Sequence, residues 1–229
     1  MLFRSHGHPD ADVRKAQQAF VDLMIPIVKG WSTETALLVT SLGVQVHGGM
    51  GFIEETGAAQ YYRDAKILTI YEGTTAIQAN DLVGRKTLRD GAQMAKAVAA
   101  QIEGTEGLLA QRDSAAAKAM LKQLSAARKA FVESAEFIAG SGKGNPNAAF
   151  AGSVPYLMLA GNLVAGWQLA RALIVAEDKL AAGEDQAFMQ AKIATARFYA
   201  EHILPRALAQ RDAIVEGADS VTAMALEAF

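Results

Sequence analysis

The sequence predicts an all-α protein, and three observations carry that expectation. Alanine is abundant, β-branched runs are short, and only five prolines interrupt 229 residues, a profile that favours helix over sheet. Apolar residues recur at three- and four-residue spacing between turn signals. The one stretch that could be mistaken for a strand, Asp64 to Tyr71, has nothing near it to pair with. With 51% hydrophobic residues a sizeable core can form, in one large domain or two small ones. A formal net charge of −2 gives no electrostatic reason to expect nucleic acid. The absence of cysteine removes disulfide and thiolate chemistry. The opening residues MLFRSHGHPDADVRK lack an apolar stretch and do not read as a secretory signal, which makes a cytoplasmic protein the expectation.

Taken in order, Asp10 to Val28 carries Val13, Ala16, Phe20, Leu23 and Ile27 at helical period, with Asp10 or Asp12 able to cap its start. Pro26 is expected to break or kink this helix and to open the next. That next helix runs through Trp31, Leu37, Leu38, Leu42 and Val44 and stops at Gly48-Gly49. A loop and a short helix fill Phe52 to Tyr62. From Thr74 the helical pattern resumes through Ile77, Leu82 and Val83 to Leu88, and Thr75 and Gln78 stand three apart as in a capping box. Helices over Ala92 to Glu103 and Ala115 to Ala139 follow. Gly140 to Ser153 reads as the clearest loop, in which Lys143 and Gly144 lack the serine or threonine and the preceding strand of a phosphate-binding loop. Val154 to Ala182 reads as a long helix. Its uncharged first part invites a membrane reading, but Asn162 and Gln168 interrupt it and Arg171 ends it, so a central buried helix is expected. Glu184 to Glu216 reads as a last long helix kinked at Pro205. Trp167, Phe188, Phe198 and Tyr199 fall at helical spacing and are expected in the core.

Chemistry concentrates in Gln45 to Gln78. Tyr71-Glu72-Gly73-Thr74 sets a carboxylate between an aromatic residue and a glycine, just ahead of a helix. A carboxylate held out of water can remove a proton from carbon if the developing enolate is stabilised elsewhere. The helix dipole favours its ionised form and burial opposes it. The plainer alternative is an acid that only complements the dipole. Upstream, His47-Gly48-Gly49-Met50-Gly51-Phe52 forms a compact glycine cluster, which either turns the chain or lets a ligand approach the backbone. Arg63 and Asp64 read as a structural ion pair. His47 has no evident metal partner, and His6 with His8 do not make a ligand set.

Three blocks, QVHGGMGF at 45–52, RDAKI at 63–67 and IYEGT at 70–74, resemble in order and spacing the C-terminal catalytic segment of the acyl-CoA dehydrogenase family. The resemblance covers roughly residues 25 to 90. Beyond them the helical pattern, with GNLVAGWQLARAL, is similar to the extra C-terminal helices of the 3-methylmercaptopropionyl-CoA dehydrogenase-like subgroup. It implies a partial four-helix-bundle domain over residues 1–90 followed by an antiparallel helical extension over 91–229. It also implies that Glu72 is the base taking the α-proton of an acyl-CoA, while FAD accepts the β-hydride. Gln45, Gly48 and Gly49 would line the part of the FAD belonging to a neighbouring subunit, and Thr74 would contact FAD at a helix start. Electron-transfer flavoprotein, a homo-oligomer, and neither nucleic acid nor membrane as partners are implied too. Ala76 stands where the family often has a flavin-contacting glutamine, and the family's N-terminal and middle domains are not found in these 229 residues. Little activity is therefore expected of the chain alone. A non-catalytic helical interaction module of the same ancestry is the alternative.

Overall fold

The computed structural model describes residues 2–142 and 144–228; Lys143 of the glycine-rich stretch lies outside them. Among the described residues there are helices and turns and no strand. A short α1 (Leu2–His6) leads into α2 (Ala11–Val46). The Asp10 carboxylate caps α2, accepting from the amides of Asp12 at 2.8 Å and Val13 at 3.3 Å. Pro26 lies inside α2 and neither breaks it nor opens a second helix, contrary to that part of the sequence expectation. A proline removes one backbone hydrogen bond and crowds the preceding turn, but here its ring is buried beside Leu23, Met24 and Ile27. Burial of this face outweighs the local penalty, since tertiary packing supplies most of a helix's stability.

Three short elements return along α2: α3 (Gly49–Phe52), a 3₁₀ turn (Glu54–Thr56) and α4 (Ala58–Leu68). The apparent strand at 64–71 is the end of α4 and the turn after it. Next come α5 (Thr75–Asp81) and a wide π-type stretch (Leu82–Leu88). The chain reverses at Gly91 and Ala92, both left-handed at φ 63° and 64°.

The second half is built from α6 (Gln93–Leu109), α7 (Ala115–Ser141), α8 (Pro146–Ala151), α9 (Ser153–Ala181), α10 (Gln186–His202), α11 (Arg206–Val215) and α12 (Ala218–Val221). The expected loop at 140–153 contains α8. Its signature is Asn145-Pro146: the asparagine carboxamide accepts from Ala148 N at 3.1 Å and the proline takes the first helical position, where its missing donor costs nothing. The chain changes course at Pro205 as expected, but more sharply than a kink: α10 ends at His202 and α11 begins at Arg206, with Leu204 buried against Gly166. Two aromatic residues assigned to the core are not in it. Phe188 and Phe198 are exposed on α10, whereas Trp167 and Tyr199 pack inward. Arg128 joins α7 to α6 through a two-point bond to Glu106 at 2.7 and 3.0 Å.

One continuous core runs from Leu23 to Ile214, and α9 is its axis, packing against α2, α5, α6, α7, α10 and α11. This helix is long and apolar enough to cross a membrane by length and composition. Between Tyr156 and Ala170, though, Gln168 is the single exposed residue. The Tyr156 ring stacks on Phe131 at 5.6 Å and its hydroxyl lies 3.1 Å from that of Thr87. Full burial pushes this phenol well above its ordinary pKa.

Contact between α2 and α9 depends on two glycines. A Cβ on Gly30 would fall 2.5 Å from Leu157 Cδ2, and one on Gly161 would fall 2.1 Å from Trp31 Cγ. At this crossing the Trp31 indole donates to Asn162 Oδ1 at 2.8 Å, Asn162 Nδ2 donates to Gln210 at 3.3 Å, and Tyr199 donates to the Asn162 carbonyl at 3.0 Å. Asn162 thus breaks an apolar helix in order to hold α2, α10 and α11 to it. Gly161→Ala drives a methyl group into the Trp31 ring, and overpacking of this kind costs about 1–3 kcal/mol. Urea denaturation of the 229-residue chain should show that loss, with the midpoint moving down.

Candidate active site

Glu72 stands in the turn between α4 and α5. The turn closes through Ile70 N and Tyr71 N to Ile67 O at 3.0 and 3.1 Å, and through Thr75 N to Thr69 O at 3.3 Å. To connect the two helices the backbone passes through the left-handed region twice, at Glu72 (φ 51°) and Gly73 (φ 95°). Glycine suits the second position. A glutamate in the first costs about 1–2 kcal/mol of backbone strain. A Cβ on Gly73 would also lie 2.8 Å from Gln78 Nε2, so a side chain there would displace the Gln78 carboxamide.

Three groups hold the turn. Lys29, on the middle of α2, donates through Nζ to the carbonyls of Leu68 (2.9 Å), Tyr71 (3.0 Å) and Gly73 (2.9 Å), and lies 5.5 Å from the centre of the Tyr71 ring. Gln78 Nε2 donates to the Glu72 carbonyl at 3.5 Å. The Thr75 hydroxyl donates to Glu34 on α2. The capping arrangement is one residue earlier than the spacing suggested: Thr74, not Thr75, caps α5, its hydroxyl oxygen accepting from Ile77 N at 3.4 Å. Thr75 is drawn away by Glu34 and Gln78 reaches back to the turn.

The Glu72 side chain is exposed, with no hydrogen-bond or ion-pair partner among the described residues. Around it Ile67, Ile70, Tyr71 and Ile77 are also exposed. The carboxylate therefore sits at the edge of an apolar face and not in a pocket of this chain.

Gln45, Gly48 and Gly49 lie at the far end of α2. Gln45 is sixteen residues beyond Lys29 and eleven beyond Glu34, which at 1.5 Å per residue places it about 16–24 Å along the helix from the turn. The predicted residues thus form two stations on one helix and not one cleft. In the glycine cluster, Gly48 is required by its φ of 60° and Gly51 by packing, because a Cβ there would come within 2.2 Å of the Val44 carbonyl oxygen. Neither reason applies to Gly49, around which an added Cβ meets open space. Beside this turn a cavity of about 290 Å³ opens between Val39, Gly43, His47, Thr56 and Tyr61. Val46, Met50 and Phe52 project unpartnered nearby.

The remaining candidates are accounted for by structure. Arg63 pairs with Glu54 at 3.4 Å in the open, not with Asp64; successive helical residues point in different directions. The His47 ring is within hydrogen-bond distance of the Gly43 carbonyl, at 2.8 Å, and no group of metal-ligating side chains occurs among the described residues. Lys29 is the residue that sequence reasoning missed. Its signal was present, because it is the single lysine or arginine between Lys15 and Arg63 and sits in the apolar run IPIVKGW.

The site is thus an exposed carboxylate in a strained, clamped turn, with an open glycine turn at the far end of α2, on an all-helical body. Comparison with known proteins gives the class to which that body belongs. Residues 8–87 match the acyl-CoA dehydrogenase C-terminal domain, and residues 91–225 match the acetyl-CoA dehydrogenase C-terminal-like domain. The 3-methylmercaptopropionyl-CoA dehydrogenase of Ruegeria pomeroyi is 50% identical over 219 residues, covering 96% of this chain and 37% of that protein. A broad-specificity linear acyl-CoA dehydrogenase of Mycobacterium tuberculosis is 36% identical over 84% of this chain and 33% of its own length. A butyryl-CoA dehydrogenase of Syntrophomonas wolfei is 32% identical over 98% and 37%. The chain belongs to the acyl-CoA dehydrogenase family, and it spans about a third of the length of these curated relatives.

The strain at Glu72 is measurable. Glu72→Gly removes the penalty of about 1–2 kcal/mol and gives back part of it through the extra freedom of glycine in the unfolded chain, about 0.5–1 kcal/mol. The expected outcome is a net gain of about 0.5–1 kcal/mol in the unfolding free energy of the 229-residue chain, read by urea titration.

Proposed function

We propose that the chain is the base-carrying helical part of a flavin-dependent acyl-CoA dehydrogenase, with Glu72 removing the α-proton of an acyl-CoA thioester. The observation that carries this is the Glu72 carboxylate itself. It is unpartnered, it is held in a strained turn by groups on two helices, and exposed apolar side chains surround it. A structural acid at a helix start would need none of that strain. Strain at an exposed residue that the surroundings over-determine is a mark of function. The apolar rim supplies what the carboxylate lacks in this chain: once another domain or subunit covers Ile67, Ile70, Tyr71 and Ile77, water leaves and the carboxylate becomes a stronger base.

The residues present fit the edge of a flavin dinucleotide and do not enclose one. Gly49 leaves the backbone open for close approach, Gln45 has a free carboxamide beside it, and the Thr74 hydroxyl keeps its proton available to donate while its oxygen caps α5. We assign Gln45, Gly48 and Gly49 to the dinucleotide of a neighbouring subunit and Thr74 to the flavin near the reaction. FAD, when bound, accepts the β-hydride, and the product is a trans-2-enoyl-CoA. A homo-oligomer and an electron-transfer flavoprotein as electron acceptor belong to the same reading, as does the division of the chain near residue 90 into bundle and extension.

The broad unpartnered face of α2, α3 and α4 favours a second reading, a non-catalytic interaction module. One substitution separates the two. In the complete enzyme Glu72→Gln should leave flavin binding intact and reduce exchange of the acyl-CoA α-proton with solvent at least a thousandfold, whereas the module reading expects no change. With the 229-residue chain alone, FAD mixed with any acyl-CoA should not bleach.

A further inference from the structure

We propose that Lys29 is a positioning residue for the Glu72 carboxylate: its ammonium group gathers three carbonyls of the 68–73 turn and holds Glu72 in the left-handed conformation that aims it outward. This rests on the reading of Glu72 as the base.

The geometry singles Lys29 out. An ammonium group carries three donors and no acceptor, and each of its donors meets a backbone carbonyl, of Leu68, Tyr71 and Gly73, at 2.9 to 3.0 Å. These carbonyls come from the end of α4, from the residue before Glu72 and from the residue after it. Carbonyls converging on one point repel each other, and a cation at that point turns the repulsion into attraction. The peptide before Glu72 and the peptide after Gly73 are thereby pinned, so the two left-handed residues are held between fixed ends, and Gln78 bonds the Glu72 carbonyl between them. Lys29 has no carboxylate partner among the described residues, so its charge is committed to the turn and to the face of the Tyr71 ring. Its own place is secured one residue away, where Gly30 lets α2 press on Leu157 of α9.

Arginine cannot replace it. The guanidinium is planar and fork-shaped, while the three carbonyls converge on one nitrogen. Methionine keeps the length and apolar stem and loses all three bonds.

The test compares Lys29→Met, Lys29→Arg and Glu72→Gln in the complete enzyme, and the two lysine variants in the 229-residue chain. In the chain, amide hydrogen exchange at Tyr71 and Thr75, whose amides close the turn, should accelerate at least tenfold in Lys29→Met while the amides of α7 and α9 keep their protection. In the enzyme, both lysine variants should lose about tenfold to a hundredfold in kcat, with KM for the acyl-CoA within about twofold and the flavin spectrum unchanged. A kcat within twofold of the parent in Lys29→Met, or full rescue by Lys29→Arg, overturns the proposal. So does loss of protection throughout α7 and α9, which would make Lys29 a general scaffold residue. Retained α-proton exchange in Glu72→Gln overturns the base reading instead, whatever the lysine variants do.

Discussion

The close crossing of α2 and α9 is the constraint on which the rest of the molecule depends. Gly30 and Gly161 bring the two backbones near enough for Trp31 to lie against Gly161 and to reach Asn162. Packing of this density transmits position, because a methyl group added at either glycine has nowhere to go. The crossing fixes α2 against the axis of the extension, and α2 carries the side chains from which the Glu72 turn is suspended. Lys29 lies two residues before Trp31, Glu34 lies three after it, and the glycine turn closes the same helix.

The extension therefore contributes to the site without supplying a residue to it. Residues 91–225 match a domain of their own, yet the core is continuous across the boundary. Asn162 and Leu157 of α9 touch the stretch of α2 from which the Glu72 turn is suspended. A bundle lacking α9 would expose Gly30 and Trp31 on a helix that also contains a proline at position 26, and α2 would have weaker grounds for staying continuous there.

Much of this was legible in the sequence, and the misses share one cause. Helical period, the Asp10 cap, the glycine stop of α2 and the position of the bend at Pro205 are local signals that act within a turn or two, and they read correctly. Pro26, α8 and the core assignment of Phe188 and Phe198 failed because neighbours distant in sequence decide them. The core face of α2 overrides a proline, and α10 turns two aromatic side chains outward. At the site, the position of Glu72 at a turn before a helix was legible, and so were the glycines. Its left-handed backbone was not, because a glutamate carries no propensity that announces it. Nor was the triple bond from Lys29, which spans 39 to 44 residues of sequence and leaves only the faint mark of a lone cation in an apolar run.

On the proposed reading of Glu72 as the base, its exposure bears on how such a base is built. A carboxylate buried within its own chain would be dry and also out of reach of a thioester's α-carbon. Leaving it at the edge of an apolar face defers desolvation until another body covers that face, so that water is expelled by the same event that brings substrate within reach. The deferred arrangement makes one demand on the chain. The carboxylate must already be aimed when the cover arrives, because a side chain at large in solvent would have to be ordered during catalysis. A left-handed residue locked from both sides meets that demand at a cost of about 1–2 kcal/mol in strain, and bonds to three carbonyls from one ammonium are enough to offset it.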